Sequence, residues 1–199
     1  MKRNLHVVIV VPGLGDVDKA IAITTGFWKL FGLTPIVFPM EWKLQTNNFQ
    51  SKLKKLISLI DTEVDKGNKV SLLGTSAGAS IVLNAFIQRT KSIHKVVNVC
   101  GRLRPGPSIG FRSFANMTKG FPSFAESVIT SGKNESKLSI NDRKRIMTIR
   151  PLFGDQYVPK ETVYTKGAKN IAIPTVEHSS TIATCLTFLS GVIISFLKS

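Results

Sequence analysis

The chain has 199 residues, 43% hydrophobic, 20% charged and 8% aromatic, which is the balance of a globular protein and about one domain of length. Its 15 glycines and 9 prolines are too few for a collagen-like or low-complexity chain, and two cysteines make no disulfide framework. A net charge of +15, from 27 Lys+Arg against 12 Asp+Glu, attracts nucleic acid, lipid headgroups or acidic substrates without naming one.

After Met1-Lys2-Arg3 the chain is apolar from Leu5 to Val11. That run is short for a signal-peptide core and breaks at Pro12-Gly13, so a buried strand over 6–11 and a cytoplasmic protein are expected. Asp16 and Asp18 are candidate caps for a helix over 19–31, and a second strand follows over 35–38. Leu53, Leu56, Ile57, Ile60 and Val64 then recur at helical spacing, with Lys52, Lys54 and Lys55 around the other side. Lys66-Gly67-Asn68 ends that helix with a basic residue and then glycine. Further strands are expected over 69–73, 95–100, 145–150 and 170–173, with a helix over 79–88 between the first two.

Continuous apolar strands of this kind belong to parallel sheets covered on both faces. Cys100 and Cys185 lie in apolar runs and read as buried free thiols. The segment 182–197 is apolar, but its 16 residues include Thr184, Thr187, Ser190 and Ser195 and fall short of the ~20 needed for a membrane span. It reads as a packed terminal helix. The alternation of strand and helix predicts an α/β fold: a three-layer sandwich with a mostly parallel six-stranded sheet, in one domain over 1–199.

One crossover is too long. Between the fourth and fifth strands lie 44 residues, 101–144, more than a single helix uses, so part of this segment is expected to be an insertion or cap. It holds Phe111, Phe114, Met117, Phe121 and Phe124. These form either an apolar wall for a substrate or the insertion's own anchor to the core. Arg102, Arg104 and Arg112 open the same segment and either meet an anionic group of a substrate or stand in solvent. Phe111, Phe114 and Arg102 are taken as candidate substrate contacts.

Directly after the third strand stands Gly74-Thr75-Ser76-Ala77-Gly78, leading into a helix. A G-x-S-x-G turn between strand and helix lifts the serine hydroxyl above the sheet, and its glycines make room where strand and helix converge. The helix N-terminus adds partial positive charge beside a developing oxyanion. After the fifth strand comes Gly154-Asp155-Gln156-Tyr157-Val158-Pro159. After the sixth comes Glu177-His178-Ser179-Ser180, with Ser179 or Ser180 able to cap the last helix. Ser76, Asp155 and His178 therefore fall on one edge of the sheet, where open α/β sheets build their sites. A serine hydroxyl needs an imidazole to take its proton, and the imidazole needs a carboxylate to hold its tautomer. His6 and His94 stand at the opposite ends of their strands and read as surface or satisfied histidines. Glu177, next to His178, points the other way in an extended segment. No Cys/His cluster suggests a metal, and no aromatic or glycine code suggests a specific nucleic-acid module.

In these residues the chain resembles the α/β-hydrolases, whose triad runs serine, acid, histidine. The resemblance spans essentially the whole chain. Where the family's oxyanion loop often reads His-Gly-x-Gly, this chain has Pro12-Gly13-Leu14-Gly15. The acid loop keeps Asp155-x-x-Val158-Pro159 but is one spacer short after Gly154. Two leading antiparallel strands of the family have no counterpart, so the resemblance implies a minimal six-stranded version like the small bacterial lipases and esterases. It further implies Ser76, Asp155 and His178 as the catalytic triad, and the amides of Leu14 and Ala77 as the oxyanion hole. Cleavage of a small-molecule ester or thioester without cofactor or metal follows from the same resemblance. An acyltransferase or peptidase with the same triad is the rival among enzymes. A non-catalytic binding protein on this fold, its basic surface docking on anionic membrane or nucleic acid, is the rival outside them.

Overall fold

The structure is a computed structural model and describes residues 4–15, 17–44 and 48–199. Among the described residues six strands form the sheet: β1 (His6–Val11), β2 (Leu33–Val37), β3 (Lys69–Thr75), β4 (Ile93–Val99), β5 (Ile146–Pro151) and β6 (Lys169–Ile173). Their order is β2-β1-β3-β4-β5-β6, and every pairing is parallel. The helices are α1 (Asp18–Gly26), α2 (Phe49–Asp65), α3 (Gly78–Gln88), α4 (Phe114–Thr118), α5 (Pro122–Asn134), α6 (Ile140–Lys144), α7 (His178–Leu186) and α8 (Ser190–Lys198).

The valine-rich β1 shows how the layers arise. Val7, Ile9 and Val11 face a core shared with α2, α3 and α5, while Val8 and Val10 face one shared with α1, α7 and α8. A strand buried on both faces has no reason to alternate apolar with polar residues, which is why these strands read as unbroken apolar runs. The chain winds outward from β1 to β2, then returns through α2 to β3 and continues the other way. This reversal opens a crevice between the carboxyl ends of β1 and β3, where Val11 stands beside Gly74.

The helix expected over 19–31 is α1 followed by a tighter 3₁₀ segment, Phe27–Phe31, which Gly32 closes at φ +78. Asp18 lies in the first turn of α1 with Val17 at the cap, and Asp16 falls outside the described residues. In α2, Asn48 caps the start by accepting from Ser51 N at 2.9 Å, and Leu53, Leu56, Ile57 and Ile60 are buried as the spacing requires. Lys52 is not on the solvent side: it is buried, and its Nζ donates at 2.7 Å to the carbonyls of both Met40 and Glu41.

The long crossover divides in two. α5 is an ordinary crossover helix packed on α3, where Asn84 Nδ2 donates to Ser127 O and the hydroxyls of Ser80 and Ser127 share a hydrogen bond at 2.8 Å. The part before it, about 101–121, holds only the short α4, and after it a 3₁₀ turn and α6 lead into β5. The segment 182–197 is not one helix. α7 and α8 meet at a bend of 57° beside Ser190-Gly191, a pair that weakens a continuous helix. Among the described residues no single helix is long and apolar enough to cross a membrane, although α7 and α8 together meet that test. Both cysteines are buried, and burial pushes their thiols up, Cys185 to about 12.

Candidate active site

The serine turn follows from packing. Ser76 sits at φ +51, a backbone region that non-glycine residues avoid, and its amide donates to Val99 O on β4 at 2.9 Å. A Cβ on Gly74 would lie 2.5 Å from Ala79 Cα, and one on Gly78 would lie 2.1 Å from Val11 O. Those two glycines therefore let α3 start against β3 and β1 at once. Strand, helix and neighbour leave the serine no relaxed alternative.

His178 opens α7. Its Nε2 is 2.9 Å from Ser76 Oγ and its Nδ1 is 2.8 Å from Asp155 Oδ2. The second carboxylate oxygen, Oδ1, accepts the amides of Tyr157 and Val158 at 2.8 Å each. An ionised carboxylate can only accept, so the ring proton belongs on Nδ1 and Nε2 is left to accept from the serine hydroxyl. Asp155 and His178 are buried. The shortened acid loop is accommodated by Gly154 at φ +119, a conformation open to glycine alone.

The loop after β1 runs against the serine, and a Cβ on Gly13 would lie 2.7 Å from Ser76 Cβ. Trp42 fixes that loop by donating its indole N–H to Pro12 O at 3.1 Å. Leu14 and Ala77 both border the cavity above Ser76. This cavity, about 620 Å³, is walled by Val17, Ala20 and Ile21 from the α1 side, Ile182 and Leu186 from α7, and Met117, Phe121 and Phe124 from the crossover. Volume and lining suit an apolar ligand.

The expected substrate contacts fare unevenly. Phe111 is 70% exposed and does not border the cavity; it stands in the turn that precedes α4. Phe114 packs on the core with the Arg102 guanidinium over its ring. Arg102 does border the cavity and is 1% exposed; its Nε and Nη2 donate to the carbonyls of Pro105 and Arg112, while its buried Nη1 has no hydrogen-bond partner among the described residues. Arg104 and Arg112 also bond backbone carbonyls, and Arg112 is exposed. Arg104 pairs with Glu135, and Arg112 Nη1 donates to Asp155 O at 2.9 Å.

Two residues add what spacing could not indicate. Gln156 donates to Glu177 and accepts from His178 N at 3.1 Å, tying the acid loop to the histidine loop. Glu177, and not Ser179 or Ser180, caps α7: it accepts both of their amides, which hold its carboxyl down to about 2. Tyr157 stands edge-on to the His178 ring at 5.4 Å. His6 and His94 are far from the site and meet edge to face at 5.6 Å, with His6 Nε2 2.9 Å from Ser71 Oγ. One donor group of metal-ligand type lies close together among the described residues: Cys100, Asp155 and His178. Asp155 and His178 already occupy each other, and burial keeps the Cys100 thiol protonated, so the set suits a hydrogen-bonded relay better than a cation.

No family model and no curated protein matches the sequence. Solved structures do match. A monoacylglycerol lipase of Paleococcus ferrophilus superposes with a TM-score of 0.65 at 15% identity, covering 96% of this chain and 93% of the other. The ydeN gene product of B. subtilis superposes at 0.66 with 13% identity, covering 98% and 100%. The fold is that of the α/β-hydrolases. A pyrethroid hydrolase, PytH, matches it at 0.68 with 10% identity over 98% of each chain. The α/β-hydrolase fold accounts for the strand order, and the near-complete coverage of the B. subtilis protein shows that a chain of this size suffices for it.

Proposed function

We propose that the chain is a serine hydrolase that cleaves a carboxylic ester or thioester through an acyl-enzyme. The observation that carries this reading is the continuous relay from Ser76 Oγ through the His178 ring to the Asp155 carboxylate, at 2.9 and 2.8 Å. Ser76 attacks the acyl carbonyl as its proton passes to His178 Nε2, and the carbonyl oxygen becomes an anion facing the amides of Leu14 and Ala77. Collapse breaks the bond to the leaving group, which takes the proton from His178. Water then gives its proton to the same nitrogen, attacks the acyl-serine and restores Ser76 with release of the acid. Asp155 holds Nδ1 protonated throughout and favours the imidazolium that forms. The apolar walls above Ser76 favour an aliphatic or aromatic acyl group over a charged one.

Turnover of p-nitrophenyl butyrate tests this. The wild-type chain should hydrolyse it, and Ser76→Ala should lower kcat by about 10⁴-fold or more. Equal rates for the two proteins would refute the reading.

A further inference from the structure

The structure assigns a second role to the surface around the mouth of the cavity. We propose that the outer face of α1, its 3₁₀ continuation and the α7–α8 corner dock on an anionic lipid surface, with the cavity opening toward it.

The face is apolar where a water-exposed face should not be. Ile23 is 79% exposed, Leu30 85% and Phe188 92%, and Phe27 and Phe31 are also exposed, edge-on to each other at 6.2 Å. Along α1 and Phe27–Phe31 these residues recur at i, i+4, i+7 and i+8 and form one stripe. The two parts adjoin: Trp28 donates its indole N–H to Leu186 O at 3.3 Å, two residues before Phe188, and Lys198 Nζ reaches Phe31 O at 3.1 Å. A contiguous exposed apolar patch of this kind marks a site of interaction.

Two observations select the occupant. The first is charge. Residues 19–40 and 178–199 contain no Asp or Glu, and the cations among them, Lys19, Lys29 and Lys198, are exposed around the stripe. Aromatic and aliphatic residues rimmed by lysines, on a chain of net charge +15, match the interfacial zone of an anionic bilayer. Two copies of this face brought together would instead set lysine against lysine. The second is position. Ala20 and Thr24 of α1 border the cavity beside Ile23, as Ile182, Ala183 and Leu186 of α7 do before Phe188. The stripe thus runs into the cavity wall. Docking is independent of the chemistry proposed for Ser76, whereas passage of a lipid ester from the surface into the cavity rests on it.

Sedimentation with vesicles separates the two, using a Ser76→Ala background so that no lipid is consumed. Vesicles of phosphatidylcholine with phosphatidylglycerol should carry the protein down, and phosphatidylcholine alone should do so at least tenfold less well. Lys19→Gln with Lys29→Gln should weaken partition by about 25-fold, roughly fivefold for each cation at the surface. Lys54→Gln with Lys55→Gln, on α2 across the sheet, should change it less than threefold. Ile23→Ser, Leu30→Ser and Phe188→Ser together should lower partition by at least 30-fold with unchanged circular dichroism and Tm. In a chain retaining Ser76, the same three changes should leave turnover of p-nitrophenyl butyrate at the wild-type rate. The proposal is overturned if anionic vesicles bind no protein, if the apolar triple variant binds as wild type does, or if the two lysine pairs weaken binding equally. It is also overturned if ultracentrifugation shows a dimer that the triple variant dissolves while vesicles bind nothing, since the face would then belong to a second copy.

Discussion

Asp155 gives its two carboxylate oxygens different work: Oδ2 meets His178 Nδ1 at 2.8 Å, and Oδ1 takes the amides of Tyr157 and Val158. That division makes Asp155→Asn an informative change. The two amides need an acceptor, so the new carbonyl oxygen must stay on their side and the NH₂ must face His178. An NH₂ cannot accept from Nδ1, so the ring proton moves to Nε2, where it can no longer take the Ser76 proton. The expected outcome is a fall in kcat of about 10³- to 10⁴-fold with a near-normal Tm. Ester turnover together with thermal unfolding measures both parts.

The glycines of the serine turn carry a stability prediction. A Cβ on Gly78 would lie 2.1 Å from Val11 O and 2.7 Å from Pro12 O, both backbone atoms in the middle of the fold. Gly78→Ala should cost about 3 kcal/mol or more in urea unfolding, the upper range for overpacking. Gly26→Ala serves as the comparison. Gly26 has helical dihedrals, φ −55 and ψ −37, with no atom within 4 Å of its built Cβ, so the change should stabilise by about 0.5–1 kcal/mol.

His6 predicts a pH dependence remote from the site. Burial first, then the nearby charges of Lys69, His94 and Lys198, lower its pKa from 6.5 to about 4. Between those values the unfolded chain holds a proton that the folded one does not, so stability falls as pH drops from about 6.5 toward 4. Below the lower value no further loss arises from this residue. His6→Gln should flatten part of that decline, His94 contributing in the same direction. Urea midpoints at pH 7.5, 6, 5 and 4 for wild type and variant check it; parallel curves would count against the assignment.

Much of this was legible from sequence, for a physical reason. Strands buried on both faces must be apolar throughout, so the central β1, β3, β4 and β5 announce themselves, while the partly exposed edge strands β2 and β6 show only through short β-branched runs; the serine turn needs glycines at fixed offsets that survive as a pattern. The proximity of Ser76, Asp155 and His178 follows because each stands one loop beyond the carboxyl end of a parallel strand. Other features depend on partners distant in sequence and leave no local trace. Trp42 holds the Pro12 carbonyl from 30 residues away, and Gln156 bridges two loops. Lys52 looks like a solvent residue because its burial is compensated by two carbonyls supplied by a neighbouring loop. The arginines of the crossover were open to two readings, ligand contact or solvated surface; Arg112 is exposed, Arg102 borders the cavity, and all three also donate to backbone carbonyls that leave no trace in the sequence. Phe111 shows the limit of composition: a phenylalanine-rich segment does not say which ring turns inward.

The central claim is that Ser76 is a nucleophile activated through His178, and covalent labelling tests it most directly. Wild-type protein treated with a fluorophosphonate should gain one adduct in its intact mass, mapped by peptide sequencing to Ser76. Ser76→Ala should gain none, and His178→Ala should label at least 10²-fold more slowly with the fold intact by circular dichroism. A folded wild-type protein that takes up no label, or one that labels equally well with Ser76 replaced, would contradict the account.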